Sequence, residues 1–415
     1  MGGAANATAE NIKEERTLLA NTGISIRSPV VRRQGILVLS RCITIAALAV
    51  ASWWSIRLAR ADAAYRQHTP AEVARAIELA PDNAQYLATL ALQAEYSGQD
   101  STPLLEEIAA LNPRSSAPRI RLGLAAELRG DTTRAERWLQ EAYSVDRQYE
   151  TRWTLANFYL RQGRRDEFWT WMRSALEMSY GDRAAAFDLC WQMSTDPDEI
   201  LSRAIPDRRE VVASYLAYIL NQHKQAAIAG AALRLAKMRI PDDLPLLYAA
   251  ADNILYAGQA GEAADLWQAL GNLRPEGITH PNFEEPRTGH GFDWTFAETP
   301  GVTHQSLEGH RIRFSGRQPE SCELLRQVLG GLRAGATYTL RWDARTQGMA
   351  SPTGLEWRIA SRTVAIAASE DWTAGKLAFM PDSDHTVLVL TYRRPEGQVR
   401  TEGQIDLRRV TSSRE

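Results

Sequence analysis

Disulfide-forming cysteine is almost missing from this chain: Cys42, Cys190 and Cys322 are the three in 415 residues, and they lie in separate segments. None has CxxC spacing, so neither a thiolate metal site nor a disulfide framework is encoded, and all three read as small buried apolar residues. A surplus of charge is missing too. With 48 basic and 50 acidic residues the net charge is −2, and the basic field that phosphate neutralisation requires is absent, which argues against a nucleic-acid partner. His280, His290, His304 and His310 show no HExxH or other ligand spacing, and no GxSxG, P-loop or dinucleotide fingerprint occurs. Glu284 and Glu285 are adjacent, so on a strand they would face opposite sides and could not straddle one glycosidic bond. Asp293 would join Glu284 only through a contact made by the fold. No catalytic residue, metal ligand or cofactor is assigned on these grounds.

Long apolar runs are equally scarce; Gly35–Ile56 is the one long enough to span a bilayer, which takes about 20 residues. Arg41 is the single charge inside it, close enough to its amino-terminal end for the guanidinium to reach back to headgroups. Trp53 and Trp54 stand at the far end, where interfacial indoles concentrate. An uncleaved anchor at 35–57 is the first reading. A cleaved secretion signal ending near Ala59–Arg60–Ala61 and a buried soluble helix are the alternatives. Arg27, Arg32 and Arg33 precede the span while Arg57, Arg60 and Arg66 follow it, and Arg41 tips the balance toward an inside amino terminus. Residues 1–34, polar and poor in large apolar side chains, read as a disordered cytoplasmic tail.

What the chain does have is a repeated spacing. Leu122–Leu128, Gly130–Asp131 and the row Ala135, Leu139, Ala142 describe two apolar-periodic helices meeting at a glycine turn, with Gly123 and Ala135 small enough to let the two backbones approach. A lone hairpin cannot bury both its faces, so copies are expected. Gly98, Gly130 and Gly163 lie 32 and 33 residues apart, each preceded seven positions earlier by Ala91, Gly123 or Ala156 and followed twelve later by Ala110, Ala142 or Ala175. Gly258 closes a later copy. Between Gly163 and Gly258 the marker is lost over 95 residues, enough for two degenerate units turning at Asp196–Pro197 and Gln222–His223. Ala61–Tyr65 and Pro70–Leu79 read as a leading helix pair.

This register resembles the tetratricopeptide repeat (TPR) family over Pro70–Leu273. The resemblance implies a superhelical solenoid over 61–274 whose first helices line a groove for protein partners. The groove offsets fall on Leu92, Glu95 and Tyr96, on Ile120, Leu124, Glu127 and Leu128, and on Trp153, Asn157, Leu160 and Arg161. The candidate groove residues are Tyr96, Glu127, Trp153, Asn157, Leu160 and Arg161. Phe168, Trp169 and Trp171 read as core.

After a Gly/Pro-punctuated linker at 275–281 the period changes to that of strands. His310–Phe314, Leu324–Val328, Tyr338–Ala344, Leu355–Ala360, Lys376–Phe379, Thr386–Tyr392 and Gln404–Val410 alternate as short strands, which implies an antiparallel jelly-roll sandwich over 282–411. Asn282–Phe283–Glu284, Gly291–Trp294, Gly309 and Gly335 before Tyr338–Thr339–Leu340 resemble carbohydrate-binding sandwich modules. Alternation puts Trp342 and Trp357 inside, and Arg341, Asp343, Arg345, Glu356 and Arg358 outside on a solvated face. The candidate glycan-binding residues are Trp294, Gln318 and Glu320 on loops, with Arg345 and Arg358 on strands. The layout also resembles bacterial envelope TPR proteins.

The expectation is therefore a multidomain chain: a single transmembrane helix, an all-α TPR-like solenoid and an all-β sandwich. Its role would be that of a non-catalytic, single-pass inner-membrane scaffold with its terminal domains outside the cytoplasm, holding protein partners and possessing a candidate polysaccharide site, by analogy in surface polysaccharide production or export. A glycan hydrolase or lyase using the sandwich, and a cytosolic TPR adaptor, are the competing readings.

Overall fold

The computed structural model describes residues 29–284 and 287–415, with side chains of the first helix from Leu37 onward. Most of the expected tail, and Glu285, lie outside the described residues. Fourteen α-helices precede ten strands among the described residues: an all-α run of TPR-like hairpins, then an all-β antiparallel sandwich. The chain divides into two compact units, Met1–Val145 and Asp146–Glu415.

The first unit opens on α1 (Pro29–Tyr65), 37 residues without a break. Its stretch Leu37–Tyr65 is long and apolar enough to cross a membrane, and none of its most apolar window is covered by protein. Two expectations change here. Ala61–Tyr65 is the end of α1 and not a helix of its own, because Arg57–Leu58–Ala59–Arg60 contains no glycine or proline to stop the spiral. Cys42 is exposed on α1, whereas Cys322 is half-buried and Cys190 fully buried. The end of α1 is also the first piece of the repeat stack: Ala61 and Ala64 are buried with Ala76 of α2 (Pro70–Leu79) and Tyr86 of α3 (Ala84–Tyr96). Tyr65 Oη pairs with Thr89 Oγ1 at 2.9 Å.

Caps set the helix starts. Thr69 Oγ1 accepts from Glu72 N at 3.3 Å and Asn83 Oδ1 from Gln85 N at 3.0 Å, each answering an orphan N–H of a first turn. The repeat then follows as α3 with α4 (Thr102–Leu111) and α5 (Ala117–Leu128) with α6 (Thr132–Val145). Gly98 and Gly130 end α3 and α5 at φ +70° and +80°, a backbone conformation that glycine adopts without penalty. Leu87, Ala91, Leu105, Ile108 and Leu122 share one core across α3, α4 and α5. The expected close approach is present. A Cβ placed on Gly123 would stand 2.6 Å from Leu139 Cδ2 and 3.3 Å from the Ala135 carbonyl.

The second unit continues the helices as α7 (Tyr149–Arg161), α8 (Arg165–Met178), α9 (Ala184–Met193), α10 (Pro197–Arg203), α11 (Arg209–Asn221), α12 (Gln225–Ala236), α13 (Leu244–Tyr256) and α14 (Ala260–Ala269). Phe168 and Trp169 are buried as expected. Both degenerate turns fall where the spacing puts them. At the second, His223 itself takes φ +52° and Lys224 N donates to Ile219 O at 2.9 Å, the same closure that Gln99 N makes to Ala94 O at 2.8 Å after Gly98. The marker glycine is lost there while its geometry is kept.

The sandwich contains all seven expected strands, plus three short or exposed ones that alternation did not reveal: β1 (Thr295–Phe296), β2 (Val302–Leu307) and β7 (Arg362–Ala365). The others are β3 (Gly309–Ser315), β4 (Ser321–Leu329), β5 (Tyr338–Gln347), β6 (Leu355–Ile359), β8 (Thr373–Phe379), β9 (Thr386–Arg393) and β10 (Glu402–Arg414). The sheets run β1-β4-β9-β6-β7 and β2-β3-β10-β5-β8. With the edge strands β1 and β2 set aside, the remaining orders 4-9-6-7 and 3-10-5-8 are those of a jelly roll. Trp342 and Trp357 face the core between them. The expected linker is stitched into the sandwich instead of bridging to it: Gly277 N donates to Gly330 O at 2.8 Å, and Ile278 N to Ser412 Oγ at 3.2 Å.

The last helices hold the sandwich directly. Asp252 of α13 accepts from His290 Nδ1 and from Gly291 N, both at 2.7 Å. The His290 ring stacks on Tyr248 at 5.5 Å. Gly291 lies so close to Trp267 that an added Cβ would meet the indole at 2.6 Å.

Gly123→Val should therefore wedge α5 from α6 and lower stability by about 1–3 kcal/mol, read as a fall in the urea midpoint of the detergent-solubilised chain. An unchanged midpoint would mean that the two helices do not approach this closely.

Candidate binding surfaces

On the first unit, α3 and α5 leave apolar side chains uncovered at helical i, i+4 spacing. Leu92 and Tyr96 are 45% and 91% exposed, and Leu124 and Leu128 are 36% and 89% exposed. A cleft of about 690 Å³ is lined by Leu124 and Leu128 with Glu95, Ser101, Arg121 and Arg129. Its charged rim is ordered: Arg121 pairs with Glu95 at 2.8 Å and Arg129 with Asp100 at 3.4 Å. Glu127 is half-buried beside it. Covering a Leu or a large aromatic yields about 1.5–3 kcal/mol each, so four such side chains in water are a substantial uncollected stabilisation.

The remaining groove residues share α7 in the second unit. Trp153 is half-buried with Tyr149 stacked on it at 6.0 Å, and Leu160 is half-buried. Arg161 is exposed. Asn157 spends its amide on its own helix, donating from Nδ2 to Trp153 O at 2.9 Å. The amide's donor thus serves the backbone.

The sandwich candidates do not converge. Trp294 is fully buried against Phe283 at 4.8 Å and Trp357 at 6.3 Å, with Nε1 donating to His280 O at 3.0 Å. It is a core residue, and an indole with no exposed face cannot stack on a sugar. Trp294 does lie on a loop, but Asp293, itself buried, pulls the segment inward: its carboxylate is 3.0 Å from His280 Nδ1 and accepts from Thr288 N at 2.6 Å and Trp294 N at 2.7 Å. Gln318 is likewise fully buried, donating from Nε2 to Thr401 O at 2.7 Å. Glu320 is exposed, pairs with Arg394 at 3.0 Å and lines a cleft of about 1010 Å³ among the loops.

The strand candidates lie on different sheets. Arg345 donates from Nε to buried Asp406 at 2.8 Å, and Arg311 Nε reaches the same carboxylate at 2.6 Å. Burial pushes Asp406 up, but these two guanidinium groups outweigh it and hold the carboxyl below its usual range. Asp343, expected outside, is buried under Arg408 and Arg409, and the Trp372 ring takes Arg408 at 4.0 Å and Arg345 at 4.8 Å. The cross-strand ion pairs expected of this face are present, but their carboxylates are buried beneath the arginines while Arg341 and Arg409 stay exposed. Arg358 is exposed on the other sheet, where register aligns Arg326, Val389 and Arg358 across β4, β9 and β6.

Two of the histidines, His304 on β2 and His310 on β3, do meet. His304 Nδ1 and His310 Nε2 are 3.0 Å apart, and the His310 ring stacks on Phe296 at 4.3 Å. Burial first, then the neighbouring imidazole and Arg287, holds His310 down at about 3, and burial lowers His304 as well. Among the described residues no three His, Cys, Asp or Glu side chains gather as metal ligands. Glu284 bonds to Asn282 at 3.0 Å and lines a shallow cleft of about 580 Å³ with Glu308, Arg408 and Arg409. Asp293 is engaged elsewhere.

Sequence reasoning missed a cleft of about 830 Å³ in the second unit, lined by Asp252 and Tyr256 of α13, His290, Arg326 of β4 and His385. No periodicity links these positions; only the α13 latch on Gly291 brings them together.

No protein-family model and no curated protein matches the chain. Solved structures overlap parts of it. TmCBM61, solved in complex with β-1,4-galactotriose, is 13% identical over 34% of this chain and 97% of its own, with a TM-score of 0.23. The pilF protein of Pseudomonas aeruginosa is 14% identical over 45% of this chain and 75% of its own, with a TM-score of 0.23. The MamA protein is 14% identical over 50% and 94%, with a TM-score of 0.24. Overlaps this loose say nothing of ligand or partner for this chain.

The histidine pair has a pH consequence. Unfolded imidazoles bind protons as pH falls through 6.5, the ordinary value, while the folded pair resists. The pair therefore opposes folding increasingly from about pH 6.5 down towards His310's folded value of about 3. Urea unfolding at pH 7.5 and 5.5 should show a loss of stability on acidification that His310→Gln reduces. An equal loss in both proteins would refute the assignment.

Proposed function

We propose that this chain is a membrane-anchored scaffold that holds a protein partner on the open apolar face of its helical hairpins. The observation that carries the reading is the quartet Leu92, Tyr96, Leu124 and Leu128, exposed in two i, i+4 pairs beside an ordered charged rim. Apolar anchors flanked by ion pairs fit the apolar stripe of an amphipathic helix in a partner protein, whose polar edge would meet Arg121, Glu95 and Arg129. The anchor is α1. Its exposed Leu, Ile and Val side chains suit lipid, and Arg57 lies 5.3 and 5.0 Å from the stacked Trp53 and Trp54 rings, an arrangement suited to headgroup depth. Arginines flank the span on both sides. With Arg41 counted, they favour an inner-membrane orientation with the helical units and sandwich outside the cytoplasm.

The sandwich is read as a glycan-binding or assembly module, and the whole as serving surface polysaccharide production or export. A non-catalytic role is supported by the engagement of its notable carboxylates: Asp293 braces a loop and Asp343 and Asp406 anchor arginines. An enzyme reading has no better support, though Glu284 and Glu308 do share a shallow cleft.

Two outcomes are expected. Alkaline carbonate should leave the protein in the membrane pellet; release into the supernatant would favour the cytosolic adaptor. Leu128→Glu combined with Tyr96→Ala should reduce co-purification of the partner from membranes by tenfold or more, with an unchanged thermal midpoint because both side chains are exposed. Undiminished capture would overturn the apolar-face reading.

A further inference from the structure

We infer that the cleft between α13 and the β4–β9 strand pair of the sandwich binds a carboxylate-bearing oligosaccharide, an inference that rests on the glycan reading of the sandwich and names both the site and the sugar class. At about 830 Å³ the cleft is within the roughly 300–1,000 Å³ range of small-molecule sites. It belongs to neither fold alone: α13 supplies Asp252 and Tyr256, the loop before β1 supplies His290, and the sheet supplies Arg326.

The floor is rigid. Asp252 has its two carboxylate oxygens engaged within the fold, one by His290 Nδ1 and one by Gly291 N. His290 is further fixed by stacking on Tyr248, and its Nδ1 bond to Asp252 leaves Nε2 as its remaining polar atom. His385 is fixed in the same way, with Nδ1 at 2.9 Å from Asp384 and 3.2 Å from Ser383 Oγ. Two imidazoles each locked through one nitrogen form a built polar wall.

Two groups at the cleft have little to do within the fold. Tyr256 is 95% exposed at the end of α13 and makes no bond or ring contact among the described residues. An aromatic ring in that state suits the apolar C–H face of a pyranose. Arg326 is about half exposed, and its one ion pair among the described residues, with Glu323, is stretched to 4.0 Å. A planar guanidinium so weakly engaged is ready for bidentate pairing with a carboxylate. Ala249, Leu255, Val328 and Val387 add apolar lining beside these polar groups, a mixture that suits a pyranose with its C–H faces and its hydroxyls. Ring stacking, an imidazole wall and one available guanidinium match an acidic sugar better than a protein segment.

The test uses the full chain in detergent micelles, titrated calorimetrically with galacturonate, glucuronate and mannuronate trimers and with the same trimers after reduction of their carboxylates. At least one uronate trimer should bind ten times more tightly than its reduced form. Arg326→Gln should erase that preference, and Tyr256→Ala should weaken both forms tenfold, with far-UV circular dichroism unchanged. Saccharide binding that neither substitution alters would overturn the cleft assignment while leaving the glycan reading standing. Binding of the reduced trimers as tightly as the uronates would overturn the acidic class. Binding of no trimer, with Tyr256 protected instead by peptide ligands, would overturn both the site and the reading it rests on.

Discussion

A pair of antiparallel helices has two apolar faces and can cover one of them with itself; the other must be covered by something else. That constraint runs through both units. In the first it is met at close range, with Gly123 giving Leu139 the room that any Cβ would fill. It is met again where Ala61 and Ala64, at the end of the apolar helix, are buried by α2 and α3. A helix long and apolar enough to cross a membrane thus ends as a packing partner for the hairpins, with no glycine or proline between its two parts. In the second unit the constraint is met at the far end by the sandwich, where Trp267 packs on Gly291 and Asp252 grips the same loop.

The hairpins were legible because spacing is a one-dimensional signal. Small residues at fixed offsets from a turn glycine report directly on where helices touch, and they located even the turn at His223, where the glycine is gone but the left-handed geometry persists. The strands with an apolar inner face were legible for the same reason. Strand β2 was not: four of its six residues are exposed, and the two inward ones, Val302 and His304, are only half-buried and include a single apolar side chain. The continuity of α1 past the apolar run is marked only by the absence of glycine and proline between Arg57 and Arg60.

Site residues were far less legible. Trp294 sits between a glycine-rich turn and a polar loop, which is where exposed aromatics occur. The buried Asp293 beside it decides the matter, and nothing in the sequence marks that aspartate as a brace and not a ligand. Arg345 looked like a solvated strand residue, yet it shares Asp406 with Arg311 from a strand not adjacent to its own. The cleft that does combine loosely engaged side chains draws on residues 256, 290, 326 and 385, joined only by tertiary contact. Alternation assigns a face; it does not say which face another element will cover.

What remains uncovered on the first unit is the central matter, because stacking accounts for Ala91, Leu105 and Leu122 but not for Leu92, Tyr96, Leu124 or Leu128. The direct measurement is photo-crosslinking in intact cells, with a benzophenone amino acid placed at Leu128 and, as a control, at the exposed position Arg137. The account requires a discrete protein adduct from Leu128 that the control does not give. Adducts only to lipid, or none from Leu128, would show that this face does not hold a protein.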